Sequence, residues 1–208
     1  WQNDDGFQKT RILNKAIQAT TAEYLIFTDG DCIPRFDLVE KHLTMRKENC
    51  FLSGGYFKLP KHISENISEK DIRSRKCFDA AWLVDQGLKK SFKLNKLTAT
   101  HKKARFLNWI TPTKATWDGN NASGWRKDIV AVNGFDERMQ YGGEDRELGE
   151  RLMNYGIHPV QARYSLVTMH LDHPQGYVKE EMLIKNKQIR QQTKTQNSTW
   201  TPYGLDKK

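Results

Sequence analysis

The sequence predicts an α/β fold, and three observations carry that expectation. An apolar run, Tyr24-Leu25-Ile26-Phe27-Thr28, ends on Asp29-Gly30-Asp31. It reads as a buried strand that delivers two carboxylates to the carboxyl edge of a sheet, where open α/β folds bind ligands. A helical pattern precedes that strand, and short apolar runs at 51–57, 159–162 and 166–170 alternate with further helical patterns. The 208 residues suffice for one domain with a real core.

The elements follow in order. Trp1 to Gly6 reads as the end of a strand entering a loop. Trp1 is not an initiator methionine, so an amino-terminal portion is expected to be absent. Residues 7–19 place Ile12, Leu13, Ala16 and Ile17 on one helical face. Asp37 is expected to cap a helix over 38–47. Residues 51–57 read as a strand broken at Gly54-Gly55, by a bulge or by close approach of a neighbour. Residues 64–106 are polar, basic and helical in pattern, with apolar points at Phe78, Ala81, Trp82, Val84, Leu88 and Phe92. A loop is expected over 111–123, then a short helix over 126–132 ended by Asn133-Gly134. Gly142-Gly143-Glu144-Asp145 opens a helix whose Leu148, Leu152 and Tyr155 form one stripe, with Gly156 as its stop. Past about residue 185 the chain reads as a polar, basic, mobile tail.

Composition narrows the function classes. No apolar run approaches the roughly 20 residues that span a bilayer, and no signal peptide is evident. Cys32, Cys50 and Cys77 have no CxxC spacing, which fits reduced thiols in the cytoplasm better than a disulfide framework or a zinc site. The net charge of +9 is concentrated. Between Gln86 and Trp117 there is no acid, while Lys89, Lys90, Lys93, Lys96, Lys102, Lys103, Arg105 and Lys114 are all basic. Such a run attracts nucleic acid, anionic lipid or a phosphorylated substrate, and it is equally the pattern of a solvated helix face.

Three clusters carry chemistry. Asp29 and Asp31 offer hard oxygen ligands suited to Mg²⁺ or Mn²⁺, which can in turn hold a diphosphate, although Asp-Gly is also a common turn. Glu144 and Asp145 fall in the first turn of a helix, where they could cap it or where an ionised carboxylate could act as general base. His170 and His173, at a strand end, could complete a metal site or be structural.

The order FTDGDCIP, NNASGWRKDIVAVNGFDE, YGGEDRELGERLMNYG, MHLDHP resembles the family-2 glycosyltransferases of the GT-A fold. Within them it resembles the branch with a galactosyltransferase-like carboxyl-terminal half, found in bacterial chondroitin polymerases and in lipopolysaccharide or capsule transferases. The resemblance implies a Rossmann-like three-layer sandwich with a mixed sheet, lacking its amino-terminal nucleotide-binding strands. One domain over 1–185, with a basic helical insertion at about 64–106, would be followed by the tail at 186–208.

It further implies that Asp29 and Asp31 form the DxD motif, that Asp145 is the base and that Glu144 contacts acceptor or sugar. His170 would be the late metal ligand, with His173 a competing choice. Lys9 and Asn14 would line the nucleotide, Asn121, Ser123 and Trp125 the sugar pocket, and Gly142 and Gly143 the substrate's backbone contacts. The implied function is metal-dependent, inverting transfer of a hexose from a UDP-sugar to a saccharide or lipid-linked saccharide in surface polysaccharide synthesis. Mn²⁺ or Mg²⁺ would be the cofactor, and the location cytoplasmic, peripheral to an anionic membrane. A basic nucleic-acid-binding module is the rival, disfavoured because acids beside a phosphate groove repel the backbone. An inactive sugar-binding homologue is a further alternative.

Overall fold

A computed structural model of the chain describes residues 1–3, 6–174 and 176–207. The fold is mixed α/β, with two small mixed sheets. It begins with α1 (Lys9–Ala19), β1 (Tyr24–Phe27), β2 (Cys32–Pro34), α2 (Leu38–Met45), β3 (Cys50–Ser53) and β4 (Gly55–Lys58). Short helices follow: α3 (Lys61–Ser64), α4 (Glu69–Arg73), α5 (Ala80–Asp85), α6 (Asn95–Thr98) and α7 (His101–Ile110). Then come β5 (Ala122–Trp125), α8 (Arg126–Ala131), α9 (Glu144–Asn154), β6 (His158–Gln161), β7 (Val167–His170) and α10 (Glu180–Thr195). No helix among the described residues is long and apolar enough to cross a membrane.

The larger sheet runs β1-β5-β3-β6, with β5 antiparallel to β1 and β3, and β6 parallel to β3. The smaller runs β2-β7-β4, with β7 antiparallel to β2 and parallel to β4. The end of the segment read as a loop therefore begins a strand at the heart of the larger sheet. Its sequence, Ala-Ser-Gly-Trp, has little intrinsic strand preference, and pairing on both sides decides the matter. A Cβ at Gly124 would lie 3.1 Å from the Trp117 ring, so the ring packs tightly over this glycine. Gly54-Gly55 is the point where the chain leaves one sheet for the other. A Cβ on Gly54 would lie 2.4 Å from Asn121, and one on Gly55 2.4 Å from the Arg163 carbonyl.

Phe27, Phe51, Trp117, Phe135, Leu148 and Leu152 form the main core, and Ile33, Phe57, Leu83 and Met169 a second one. Arg151, 1% exposed, ties α9 to the turn after α8. It pairs with Glu147 at 2.7 Å and donates to the carbonyls of Val132 and Gly134.

Several expectations need correction. Ala16 is exposed, and the buried positions of α1 are Thr10, Asn14 and Ile17. Asp37 makes no capping bond, because Arg35 at 2.6 Å and Lys41 at 2.8 Å occupy its carboxylate. The basic segment is a series of short helices; Ala81 and Phe92 are exposed, and Cys77 and Leu83 are buried instead. Tyr155 is half-exposed, off the Leu148–Leu152 stripe. The strand end expected at 1–6 falls partly on Asp4 and Asp5, outside the described residues, and 1–3 form no strand.

Nor is 186–207 a loose tail (Lys208 lies outside the described residues). Met182, Asn186, Ile189 and Thr193 make a buried stripe of α10 against α9, and Arg190 pairs with Glu150 at 2.5 Å. Two of the four stripe residues are polar, which hid the helical period.

Candidate active site

Register assembles the first half of the site. In the antiparallel pair β2–β7, Cys32 lies opposite His170, so Asp31 at the start of one strand faces the end of the other. His173 Nε2 lies 2.8 Å, and His170 Nε2 3.7 Å, from Asp31 Oδ2. The two rings stack at 5.7 Å. Each Nδ1 meets a carbonyl oxygen, that of Leu171 at 2.8 Å for His170 and of Pro174 at 3.0 Å for His173. A carbonyl only accepts, so each Nδ1 donates to it, and each ring is held with its Nε2 turned towards the Asp31 carboxylate. One carboxylate and two imidazole nitrogens converging in this way are a hard and borderline donor set that fits Mn²⁺ or Mg²⁺.

Cys32 Sγ lies with Asp31 and His170 in a cluster whose ligand atoms are all within 4.8 Å of one another. Burial, with Asp31 and Asp29 adding to it, pushes the thiol up, so it remains an S–H donor to Asp31 Oδ1 at 3.5 Å. Asp29 faces Lys9, at 2.5 Å. Burial alone would lower the Lys9 ammonium, but Asp29, Glu144 and Asp145 outweigh it and raise its pKa.

The second half of the site is the amino-terminal turn of α9. Gly142 and Gly143 have φ of 110° and 85°, a left-handed pair that only glycine adopts freely, and this delivers Glu144 and Asp145 to the cleft. Glu144 is buried and accepts from the Gly142 N–H at 2.9 Å; burial, then Asp145, raises its pKa. Asp145 Oδ2 accepts from the Gly119 N–H at 3.0 Å. Asn186 on α10 fastens this loop from behind by donating to the carbonyls of Gln140, Tyr141 and Gly142.

Asp29, Asp31, His170 and His173 on one side, and Gly142, Gly143, Glu144 and Asp145 on the other, line one cleft of about 580 Å³, with Lys9. Asn14, Asn121, Ser123 and Trp125 do not line it. Asn14 is spent on Phe135, whose carbonyl it meets at 2.9 Å and whose N–H donates back at 2.8 Å. Asn121 and Ser123 are fully buried around His42. Trp125 packs on Tyr24 and donates to the Lys47 carbonyl, lining a separate pocket.

Residues the sequence reading missed include Asp118 and Asn120, in the wall of the cleft. Asn120 Oδ1 is buried with no hydrogen-bond partner among the described residues. Asp118 is pushed up to about 6 by burial and then by Asp145. The visible signal was the pair Asn120-Asn121. Both lie in the turn before β5; Asn121 is held in the buried node around His42, and its neighbour Asn120 is the one at the cleft. Phe7, Tyr141 and Tyr177 add an aromatic rim, Phe7 stacked on Tyr177 at 5.4 Å and edge-on to Tyr141.

Comparison with known proteins shows what the chain is similar to. Residues 99–174, which span β5, the Gly142–Asp145 turn and His170, match the family model for the N-terminal domain of galactosyltransferase. The Bacillus subtilis (strain 168) protein named uncharacterized glycosyltransferase YfnE is 28% identical over 195 residues, covering 77% of this chain and 47% of that protein. The chain thus spans about half the length of this curated relative. Among solved structures, the mannosyltransferase PcManGT from Pyrobaculum calidifontis, in complex with GDP-Man and Mn²⁺, matches with a TM-score of 0.48 and 17% identity. That match covers 85% of this chain and 39% of the mannosyltransferase.

Proposed function

We propose that this glycosyltransferase domain carries out metal-dependent, inverting transfer of a hexose from a UDP-sugar to a saccharide hydroxyl, in the synthesis of bacterial surface polysaccharide or lipopolysaccharide. The observation that carries the reading is a single cleft with Asp31, His170 and His173 on one wall and Asp145 on another. Asp31, His170 and His173 would hold the divalent cation, which supplies Lewis-acid stabilisation of a departing diphosphate.

Asp145 removes the proton from the acceptor hydroxyl as its oxygen bonds to the anomeric carbon. The bond from that carbon to the diphosphate oxygen breaks on the opposite face, so configuration inverts. Glu144 and Asn120 hold hydroxyls of the bound sugars, and Gly119 fixes the carboxylate of Asp145 through its N–H. Lys9, paired with Asp29, sets the charge on the nucleotide side.

A panel of UDP- and GDP-sugars assayed with the full-length protein, with Mn²⁺ and with EDTA, tests this. The expected result is metal-dependent release of UDP that Asp145→Asn cuts by about 10² to 10⁴. GDP release from GDP-sugars alone, or turnover unaffected by EDTA, contradicts it.

Peripheral attachment to the inner face of the cytoplasmic membrane belongs to the same reading. Helix α7 buries Ala104 and Leu107, and its outward side carries Lys102, Arg105, Phe106 and Trp109. Trp109 is 81% exposed. Cations with aromatic residues on one helical face suit an anionic interface. Co-sedimentation with vesicles containing phosphatidylglycerol, lost in Phe106→Ser/Trp109→Ser, is expected; equal binding to neutral vesicles overturns this part.

A further inference from the structure

A crevice of about 210 Å³, distinct from the main cleft, runs along β4 and is lined by Tyr56, Lys93, Lys96, Arg163 and Asp118. Asp118 also lines the main cleft, so the two cavities meet at one carboxyl group. Among the described residues, no ion pair involves Lys93, Lys96 or Arg163. Lys96 is fixed in place: its Nζ donates to the Tyr56 carbonyl at 2.5 Å and sits 5.4 Å from the Tyr56 ring centroid.

Lys58, also in the lining, is paired with Asp172 at 3.2 Å, and Asp118 forms an ion pair with none of the other three cations, which repel one another most where water is partly excluded. Burial, then Arg163 and Lys93, lowers the Lys96 ammonium to about 8, with Asp118 offsetting only a part. An anion entering the crevice would relieve this strain and accept charge-assisted hydrogen bonds. The half-exposed Tyr56 ring supplies an apolar face of the kind that sugar rings stack on.

Position decides which substrate brings the anion. A leaving diphosphate belongs beside Asp31, His170 and His173. The crevice opens at Asp118, next to the carboxylate of Asp145 that must touch the acceptor hydroxyl. We propose that Lys93, Lys96 and Arg163 form an acceptor subsite for a saccharide bearing a carboxylate or phosphate group. The inference rests on the transferase reading and deepens it to a substrate class: the acceptor is an acidic sugar or a phosphorylated one.

Saturation-transfer NMR on the intact protein tests it with glucuronate, glucose 6-phosphate and neutral glucose as probes. At least one anionic probe should bind about tenfold or more tightly than glucose, the equivalent of one charge-assisted contact. Whichever binds tells carboxylate from phosphate. Lys96→Met and Arg163→Gln should each abolish the preference, and the exposed Lys93→Ser should reduce it, guarding against a folding defect in the first two.

UDP binding in Mn²⁺, titrated on the same variants, should stay within about twofold of wild type. No preference for an anionic probe in wild type overturns the proposal. So does a parallel loss of UDP binding, which would assign the crevice to the donor diphosphate. Anion preference intact in a protein that turns over no nucleotide sugar would instead keep the anion site and sink the transferase reading, so the two failures are distinguishable.

Discussion

Two polar clusters lie close together in this molecule and behave in opposite ways. One is the buried node around His42. Asn121 Oδ1 only accepts, so His42 Nε2 donates to it at 2.9 Å, and His42 Nδ1 then accepts from Ser123 at 2.7 Å. Tyr24 completes the chain by donating to Ser123 at 2.7 Å, and Asn121 Nδ2 donates to the carbonyls of Gly55 and Leu166. The linking atoms of that node are satisfied by protein alone, and it joins the two sheets.

The other cluster is the cleft, where Asp31 faces two imidazole nitrogens, Asn120 Oδ1 has no partner among the described residues, and Asp118 is crowded by Asp145. These are the groups to which a bound cation or substrate would add a partner. The two clusters draw on similar polar residue types; one closes on itself in the core and the other opens on a cleft.

That contrast can be broken by mutation, and the largest effect should fall on activity. Asp145→Asn should cut turnover by about 10² to 10⁴ while leaving the melting temperature within about 2 °C of wild type. A comparable loss of stability would make Asp145 part of the scaffold. Asn121→Ala should do the converse. Removing its side chain leaves His42 Nε2 without its acceptor and takes one donor each from the carbonyls of Gly55 and Leu166, at a cost of about 2–4 kcal/mol in urea unfolding. The folded fraction should keep its KM for donor.

Two pH effects of opposite sign sharpen the comparison. Burial first of all lowers His42 to about 4 from an ordinary value near 6.5. Its stability contribution is complete above pH 6.5 and is lost as pH falls towards 4, by up to about 3 kcal/mol. His42→Gln should flatten that acid limb.

Asp118 is raised to about 6, so the fold binds a proton there that the unfolded chain has released. Its contribution is present below about pH 4 and lost as pH rises through 6. Asp118→Asn should therefore stabilise the metal-free protein at pH 8, by on the order of 2 kcal/mol, and not at all at pH 3.5. Urea midpoints across pH 3.5 to 8 check both variants. A stability curve for Asp118→Asn parallel to wild type would remove Asp118 from the strained side of the comparison.

Much of the architecture was legible in the residues. The apolar run before Asp29, the Asn133-Gly134 and Gly156 stops, and the glycine pair before Glu144 each state a local requirement, and the structure meets them with left-handed residues at the stops and at the glycine pair. Strand β5 was illegible because its conformation comes from partners on both sides. The stripe of α10 was illegible because Asn186 and Thr193 occupy buried positions usually held by apolar residues.

In the site, motif residues with a fixed backbone context, Asp31, Asp145, His170 and His173, come together at the cleft as their sequence neighbourhood implied. Asn14, Asn121 and Ser123 were misplaced because a polar side chain in a motif looks the same whether it awaits a ligand or has already found a buried partner. Only the three-dimensional partner list tells these apart, and it also points to Asn120 and Asp118.

The most direct test of the account is a Mn²⁺ titration followed by electron paramagnetic resonance, on the wild-type chain and on Asp31→Ala, Asp145→Asn and Asn121→Ala. The account predicts one saturable site, lost in Asp31→Ala and retained in Asp145→Asn and in folded Asn121→Ala. Wild-type affinity in Asp31→Ala, or no saturable site in any protein, would contradict it.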